Sequence, residues 1–236
     1  MSLTPSQARF FRHNGFLKLP TRLGESHTEE LRDAIWRDID DEVEPVVRHK
    51  GRPVRISDVW ARGGVFERTI TSSEILDPLA SLLGPNIEFI RNRHNHATLR
   101  LREDGSAYLH RDVLQWSRTI VTVLIYLEES TMQNGCTRVI PGTHLLESGM
   151  TSPSHEGADR MAEAGLLDQM VPVPMDAGGL LAIDSMIFHG VGPNATDGSR
   201  TSMTLGYHSV DELMDVDNEK RVLVRGERLY QGNDRR

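Results

Sequence analysis

The chain has one cysteine, Cys136, in 236 residues. A single thiol excludes an intramolecular disulfide, so the core must be held by packing, as suits a reducing compartment. Aromatic residues are sparse, at 6%. No apolar run approaches the roughly 18 residues that read as a membrane span. No basic stretch leads into an apolar one at the start, so we expect no signal peptide and a cytoplasmic protein. Positive charge is in deficit: 27 Lys and Arg face 34 Asp and Glu, a net charge of −7. With no basic run, that balance argues against nucleic acid as a partner. A local cluster of Arg91, Arg93, Arg100 and Arg102 is left to explain. There are no internal repeats and no low-complexity segments.

A hydrophobic fraction of 38% beside 26% charged residues describes an ordinary globular protein. We read residues 1–236 as one domain. Thr4-Pro5 starts a first helix, and Asn14-Gly15 stops it. Phe16 to Pro20 is a short strand. A second helix starts near Ser26, where Ser26 and Glu29 have capping-box spacing. Pro45, Pro53 and Gly63-Gly64 make residues 43–70 irregular. Ser72 or Ser73 caps a third helix that closes at Gly84-Pro85. From there the pattern changes. Residues 87–101 read as one long strand, and 118–127 as a buried, β-branched one. Asn134-Gly135 is a turn. Strands follow at 170–174, 180–184, 186–190 and 200–208, and the charged closing segment, 210–230, reads as part helical. A helical part, about 1–85, thus precedes a β core, about 86–210. A lid-like insertion spans about 145–169. The fold class is mainly β with N-terminal helices, a double-sheet jelly roll.

The chemistry centres on His110-Arg111-Asp112. Two side chains two residues apart on an extended segment share a face. An imidazole and a carboxylate there offer a metal two adjacent ligands, and His189 is the candidate third. Two histidines and one carboxylate with open positions suit non-haem Fe(II). The motif alone is weak, because a chain with this many His and Asp residues contains a His-x-Asp pair about once by chance. Taken alone, His189 reads equally well as a core histidine donating to a carbonyl. Arg200 lies eleven residues after His189, across a turn at 193–199, so a hairpin would set the two on adjacent strands. A guanidinium there can grip a carboxylate in two-point fashion. Ser202 shares the face of Arg200, and Thr122 on the buried strand is a further partner for the same ligand. Trp116 either fills the core or walls the pocket. Asn92 to His96 is either a solvated edge or a polar substrate channel, and Asn95 and His96 are named for the second reading. His144 shapes a loop, and Cys136 is a small buried side chain.

Three stretches together resemble the phytanoyl-CoA dioxygenase-like family of Fe(II)/2-oxoglutarate oxygenases. They are His110-Arg111-Asp112 with Trp116, Asn134-Gly135 through Pro141-Gly142-Thr143-His144, and Gly178-Gly179 through His189-Gly190, Asn194 and Arg200. The opening helix, Thr4 to Phe16, is also similar. The stretches 43–85 and 145–169 match nothing in that pattern. The resemblance implies a cupin-like jelly roll, or double-stranded β-helix, with iron between its sheets. It implies His110, Asp112 and His189 as iron ligands and Arg200 as the anchor of the distal carboxylate of 2-oxoglutarate. O2 is the oxidant, and succinate and CO2 are released. The retained Asp112 points to hydroxylation, desaturation or ring closure rather than halogenation. Bacterial members that tailor natural products, including oxidative cyclases of orthosomycin-type oligosaccharides, look like the nearer relatives. The expected substrate is accordingly a small polar molecule, a sugar-containing natural product, with an amino acid or polyketide intermediate as the alternative. The net charge argues against an acyl-CoA. Two other functions fit the same residues: a zinc hydrolase, and a ligand-binding jelly roll without catalysis.

Overall fold

The structure, a computed structural model, describes residues 1–101, 109–113, 119–146, 161–210 and 219–228. Helix α1 (Pro5–Asn14) has the full capping box, in which Thr4 Oγ1 accepts from Gln7 N and Gln7 Oε1 accepts from Thr4 N. It ends at Gly15, whose φ of 77° is left-handed. Strand β1 (Phe16–Arg22) follows. Helix α2 (Glu25–Asp40) begins one residue earlier than Ser26, with Gly24 at its N-cap and no side-chain cap. The Ser26–Glu29 spacing is therefore not a capping box. Its buried residues Leu31, Ala34, Ile35 and Ile39 form one helical face.

Residues 43–70 are more ordered than their prolines and glycines suggest. Strands β2 (Val46–His49) and β3 (Arg52–Ser57) form a hairpin. Its turn residues Lys50 and Gly51 both have positive φ, the backbone that matches strand twist in a two-residue loop. A 3-10 turn at Val59–Arg62 and helix α3 (Gly64–Ile70) come next, then α4 (Ser73–Leu83) with Ser72 at its N-cap.

The expected strand over 87–101 is two strands, β4 (Ile87–Ile90) and β5 (Asn95–Arg100). The break falls at His94, whose φ of 51° cannot continue a strand. Gly206 N donates to His94 O at 3.0 Å, and a Cβ on Gly206 would lie 3.1 Å from Arg93 O. The turn therefore seats on a glycine.

The remaining strands are β6 (Ile120–Tyr126), β7 (Thr137–Val139), β8 (Val171–Val173), β9 (Gly179–Asp184), β10 (His189–Val191), β11 (Arg200–Ser209) and β12 (Arg221–Arg225). The described part of the closing segment is thus a strand, not helix. Every pairing is antiparallel. The large sheet runs β1-β9-β6-β11-β5-β3-β2, with β4 on the far end of β11 and β12 on β4. The small sheet runs β10-β7-β8. This is a double-stranded β-helix.

One face of the large sheet carries Ala97, Leu99, Val121, Val123, Ile125, Met203, Leu205 and Tyr207 against the helices in the main core. Its other face looks toward the small sheet. Tyr126, Leu181 and Ile183 from the large sheet pack there on Val139 and Val173 from the small one. The cavity opens between the sheets.

Candidate active site

His110 exchanges two backbone hydrogen bonds with His189, at 2.9 and 3.0 Å. That antiparallel bridge lays the imidazoles side by side, with ring centroids 4.4 Å apart. Two residues on, Asp112 N donates to Ser185 O at 2.8 Å, which fixes the carboxylate beside the pair. Ligating atoms of His110, Asp112 and His189 all lie within 4.8 Å of one another. His189 Nε2 is 3.5 Å and His110 Nε2 3.7 Å from Asp112 Oδ1. The second oxygen, Oδ2, accepts from Thr122 Oγ1 at 2.9 Å and faces His94 Nε2 at 3.6 Å. Thr122 Oγ1 also meets Ser185 Oγ at 2.7 Å. One carboxylate oxygen therefore faces the histidines, and the other is held from behind.

His189 Nδ1 lies 3.0 Å from Ile187 O. A carbonyl only accepts, so Nδ1 carries a proton, and Nε2 is the ring atom turned toward the cluster. The core-histidine reading of His189, donation to a carbonyl, describes its Nδ1, and that bond leaves Nε2 to serve as the ligand atom. Burial pushes the Asp112 carboxyl up, but His189, His94, the Thr122 hydroxyl and His110 outweigh it and hold it below the ordinary range. The anionic form is favoured, as a hard cation requires.

A cavity of about 450 Å³ opens beside this cluster. Register fixes what lines it. Arg200 pairs with Arg100, Ser202 with Thr98 and Tyr126, and Thr204 with His96 and Leu124. These even-numbered residues share the cavity face, while their odd-numbered neighbours fill the core under the helices. Arg200 is 2% exposed and makes no hydrogen bond or ion pair among the described residues. Tyr126 lies below it, with the guanidinium carbon 5.7 Å from the ring centroid. Burial pulls the Arg200 pKa down, and Tyr126, Cys136 and the Glu128 carboxylate offset that only in part. A buried guanidinium left so is costly unless a ligand supplies the anion.

Several expectations need correction. His189 and Arg200 are not on adjacent strands. β10 pairs with β7 in the small sheet, whereas both edges of β11 are taken by β5 and β6. They face the cavity from opposite sheets. Thr122 lines the cavity, and its hydroxyl is engaged by Asp112 and Ser185 rather than turned to Arg200. Asn95 points away from the cavity. Its side chain accepts from Trp60 N at 2.9 Å and donates to Asp58 Oδ1 and Arg91 O, pinning the 3-10 turn. His96 and Ser202 do line the cavity. Trp116 lies outside the described residues, as do 147–160 of the insertion. The described end of the insertion places Met161 against Ile140 and Phe188.

Arg111, between the two cluster residues, is structural. It stacks on Phe188 and donates to Thr143 O and Leu146 O. His144 Nε2 meets Arg12 O at 3.0 Å and shapes its loop. His94, Thr98, Thr204 and Arg55 also line the cavity and were not named from sequence. The alternation of His96, Thr98 and Arg100 with Ala97, Leu99 and Leu101 carries the parity that identifies the first three. Burial lowers the pKa of His94, and that of His96 to about 4, so both rings are neutral at pH 7.

Fold and site together define a class, the jelly-roll enzymes that set two histidines and a carboxylate beside a buried cationic anchor. A sequence profile of the phytanoyl-CoA dioxygenase (PhyH) family matches residues 11–202, and the chain belongs to that family. It is 27% identical over 224 residues to the methylphosphonate hydroxylase of Gimesia maris, covering 89% of this chain and 83% of that one. Its fold is similar to the α-ketoglutarate-dependent carbocyclase SnoK from nogalamycin biosynthesis (TM-score 0.77, 17% identity, 94% and 96% of the two chains). It is also similar to iron-bound EctD from S. alaskensis (TM-score 0.78, 20% identity, 95% and 87%). The protein is a non-haem dioxygenase that uses Fe(II), 2-oxoglutarate and O2. That sets aside the zinc hydrolase and the non-catalytic binder. No described helix is long and apolar enough to cross a membrane.

Proposed function

We propose that His110, Asp112 and His189 hold the iron, and that Arg200 with Ser202 anchors the distal carboxylate of 2-oxoglutarate. The enzyme then oxidises an unactivated C–H of a polar, sugar-containing natural product, by hydroxylation or C–O ring closure. The observation that carries the reading is the buried, unpartnered Arg200 across the cavity from a convergent His-Asp-His cluster. A dicarboxylate spanning the two satisfies both.

When bound, iron and 2-oxoglutarate supply the oxidising power, drawn from O2 with release of succinate and CO2. The chain's residues supply position and charge. Asp112 offers Oδ1 while Thr122 holds Oδ2, so the carboxylate presents one oxygen. His189 is oriented by Ile187 O and His110 by its backbone bridge. Arg200 and Ser202 fix the cosubstrate at the far end. The polar wall of His94, His96, Thr98 and Thr204 suits hydroxyl groups, since each buried donor or acceptor needs a partner.

A second reading has the substrate as a small anion, like the phosphonate on which the Gimesia maris relative acts. What favours it is the cavity's charge: among the described residues Arg55, Arg100, Arg111 and Arg200 line it, and Asp112 is the one carboxylate. Anaerobic titration with Fe(II) and then 2-oxoglutarate tests the shared core of both readings. A weak visible charge-transfer band is expected in the wild type and none in Asp112→Ala. A wild type without the band overturns the ligand assignment. Succinate release across sugars, phosphonates and acyl-CoAs then separates the substrates.

A further inference from the structure

We propose that Arg55, with His96 and Thr98 beside it, forms a subsite for an anionic group of the substrate and selects phosphonates, phosphates or carboxylates over neutral molecules. The inference deepens the second reading above and rests on it.

Arg55 belongs to the β2–β3 hairpin, which adds two strands to the large sheet next to β5. Its register partner is Thr98, and that of Ser57 is His96. Thr98 in turn pairs with Ser202. Arg55, Thr98 and Ser202 thus form one cross-strand row on the cavity face, and the Arg100–Arg200 row lies next along β5 and β11. Two strand spacings, roughly 10 Å, separate Arg55 from β11. That places it at the mouth, beyond the cosubstrate anchor, within reach of a molecule seated against the iron ligands.

The partners of Arg55 are the second observation. The side chain is exposed and makes no hydrogen bond or ion pair among the described residues. Two others from the same part of the chain are committed. Arg48 pairs with Glu42 and Glu44, and Arg62 with Asp38 at 2.6 Å. Within the cavity Arg111 is spent on two carbonyls, and Arg100 donates to Gly192 O at 2.9 Å. Arg200 is required by the cosubstrate. Arg55 is the guanidinium left to meet an incoming charge. His96, a neutral ring, and the Thr98 hydroxyl flank it as hydrogen-bond donors, which an oxyanion needs once its water is removed.

The test uses full-length protein loaded anaerobically with Fe(II) and 2-oxoglutarate. Calorimetry measures binding of ethylphosphonate, ethyl phosphate, propionate and the neutral diethyl ethylphosphonate. At least one anion is expected to bind the wild type more than tenfold tighter than the neutral diester, and the ranking of the three identifies the anionic group. Arg55→Gln should weaken that anion roughly ten- to a hundredfold, the loss of one charge-assisted contact, and leave the diester unchanged. Arg55→Lys should recover part of the loss. The charge-transfer band should be the same in all three proteins. A wild type without the band sinks the iron and cosubstrate assignment, and this proposal with it. A normal band with no preference for any anion overturns the anionic-substrate reading. A preference that survives Arg55→Gln, or an anion that bleaches the band by displacing 2-oxoglutarate, overturns the subsite alone.

Discussion

Replacing Arg200 with methionine should change stability and cosubstrate affinity in opposite directions. The guanidinium is 2% exposed and has no hydrogen-bonded or ionic partner among the described residues. Without ligand it is a buried charge whose desolvation Tyr126, Cys136 and Glu128 repay only in part. Exchanging a buried ionic group for an apolar one of similar volume is neutral or stabilising by about 1–4 kcal/mol. For a chain of this size each kcal/mol moves the melting temperature by roughly 2–4 °C. Ligand-free Arg200→Met should therefore melt several degrees higher than wild type. With 2-oxoglutarate the gap narrows. Losing the charged partner of a buried carboxylate costs about 2–5 kcal/mol, roughly 30-fold to several-thousand-fold in affinity. At one hundred times its Kd, 2-oxoglutarate stabilises the iron-loaded wild type by about 2.7 kcal/mol, and the variant should lose most of that. In thermal melts 2-oxoglutarate should therefore raise the wild type far more than the variant. Two results would refute the reasoning: a variant that is less stable than wild type without ligand, or one that binds 2-oxoglutarate as tightly as wild type.

Three further outcomes follow from the same geometry. His110→Ala, Asp112→Ala and His189→Ala should each abolish iron binding and turnover while the far-ultraviolet circular dichroism stays that of the wild type; retained wild-type iron affinity in any one removes it from the ligand set. Thr122→Val keeps the shape of the side chain but frees Asp112 Oδ2, and iron affinity should fall about ten- to a hundredfold by metal titration, as for other partners of metal ligands. Far from the cavity, Glu88 is fully buried and faces His208 at 2.9 Å and Arg228. Burial pushes its pKa up, but His208 and then Arg228 outweigh that and hold it below the ordinary 4.5. A depressed folded pKa contributes stability that is present above 4.5 and lost as pH falls through the folded value. Glu88→Gln should thus be less stable than wild type at pH 7, with the gap closing in acid below 4.5; a gap independent of pH would mean that charge is not what Glu88 contributes.

The parts of the fold that were legible in sequence are those set by local chemistry. Thr4-Pro5 and Asn14-Gly15 bound a helix because capping and left-handed backbone are properties of the residues themselves. The run at 118–127 holds a central strand, Ile120–Tyr126, because β-branched residues without breaks bury on both faces. What escaped was decided at long range. Arg200 could be named as a candidate anchor from sequence, but not that it faces His189 from another sheet, since strand partners cannot be read from a turn. The stretch 87–101 has no glycine or proline to mark its break. The break is at His94, and the glycine that admits it, Gly206, lies more than a hundred residues away. Parity on β5 was open at Asn95 and His96, where both residues are polar. It closes at Ala97 and Leu99, whose burial assigns odd positions to the helices and even ones to the cavity. Net charge shows the same limit. A value of −7 is a sum over the whole chain, whereas among the described residues Arg55, Arg100, Arg111 and Arg200 line the cavity with one carboxylate, Asp112. The field on a ligand there is set by the few side chains that register brings to one face, and a sum over the sequence does not report it.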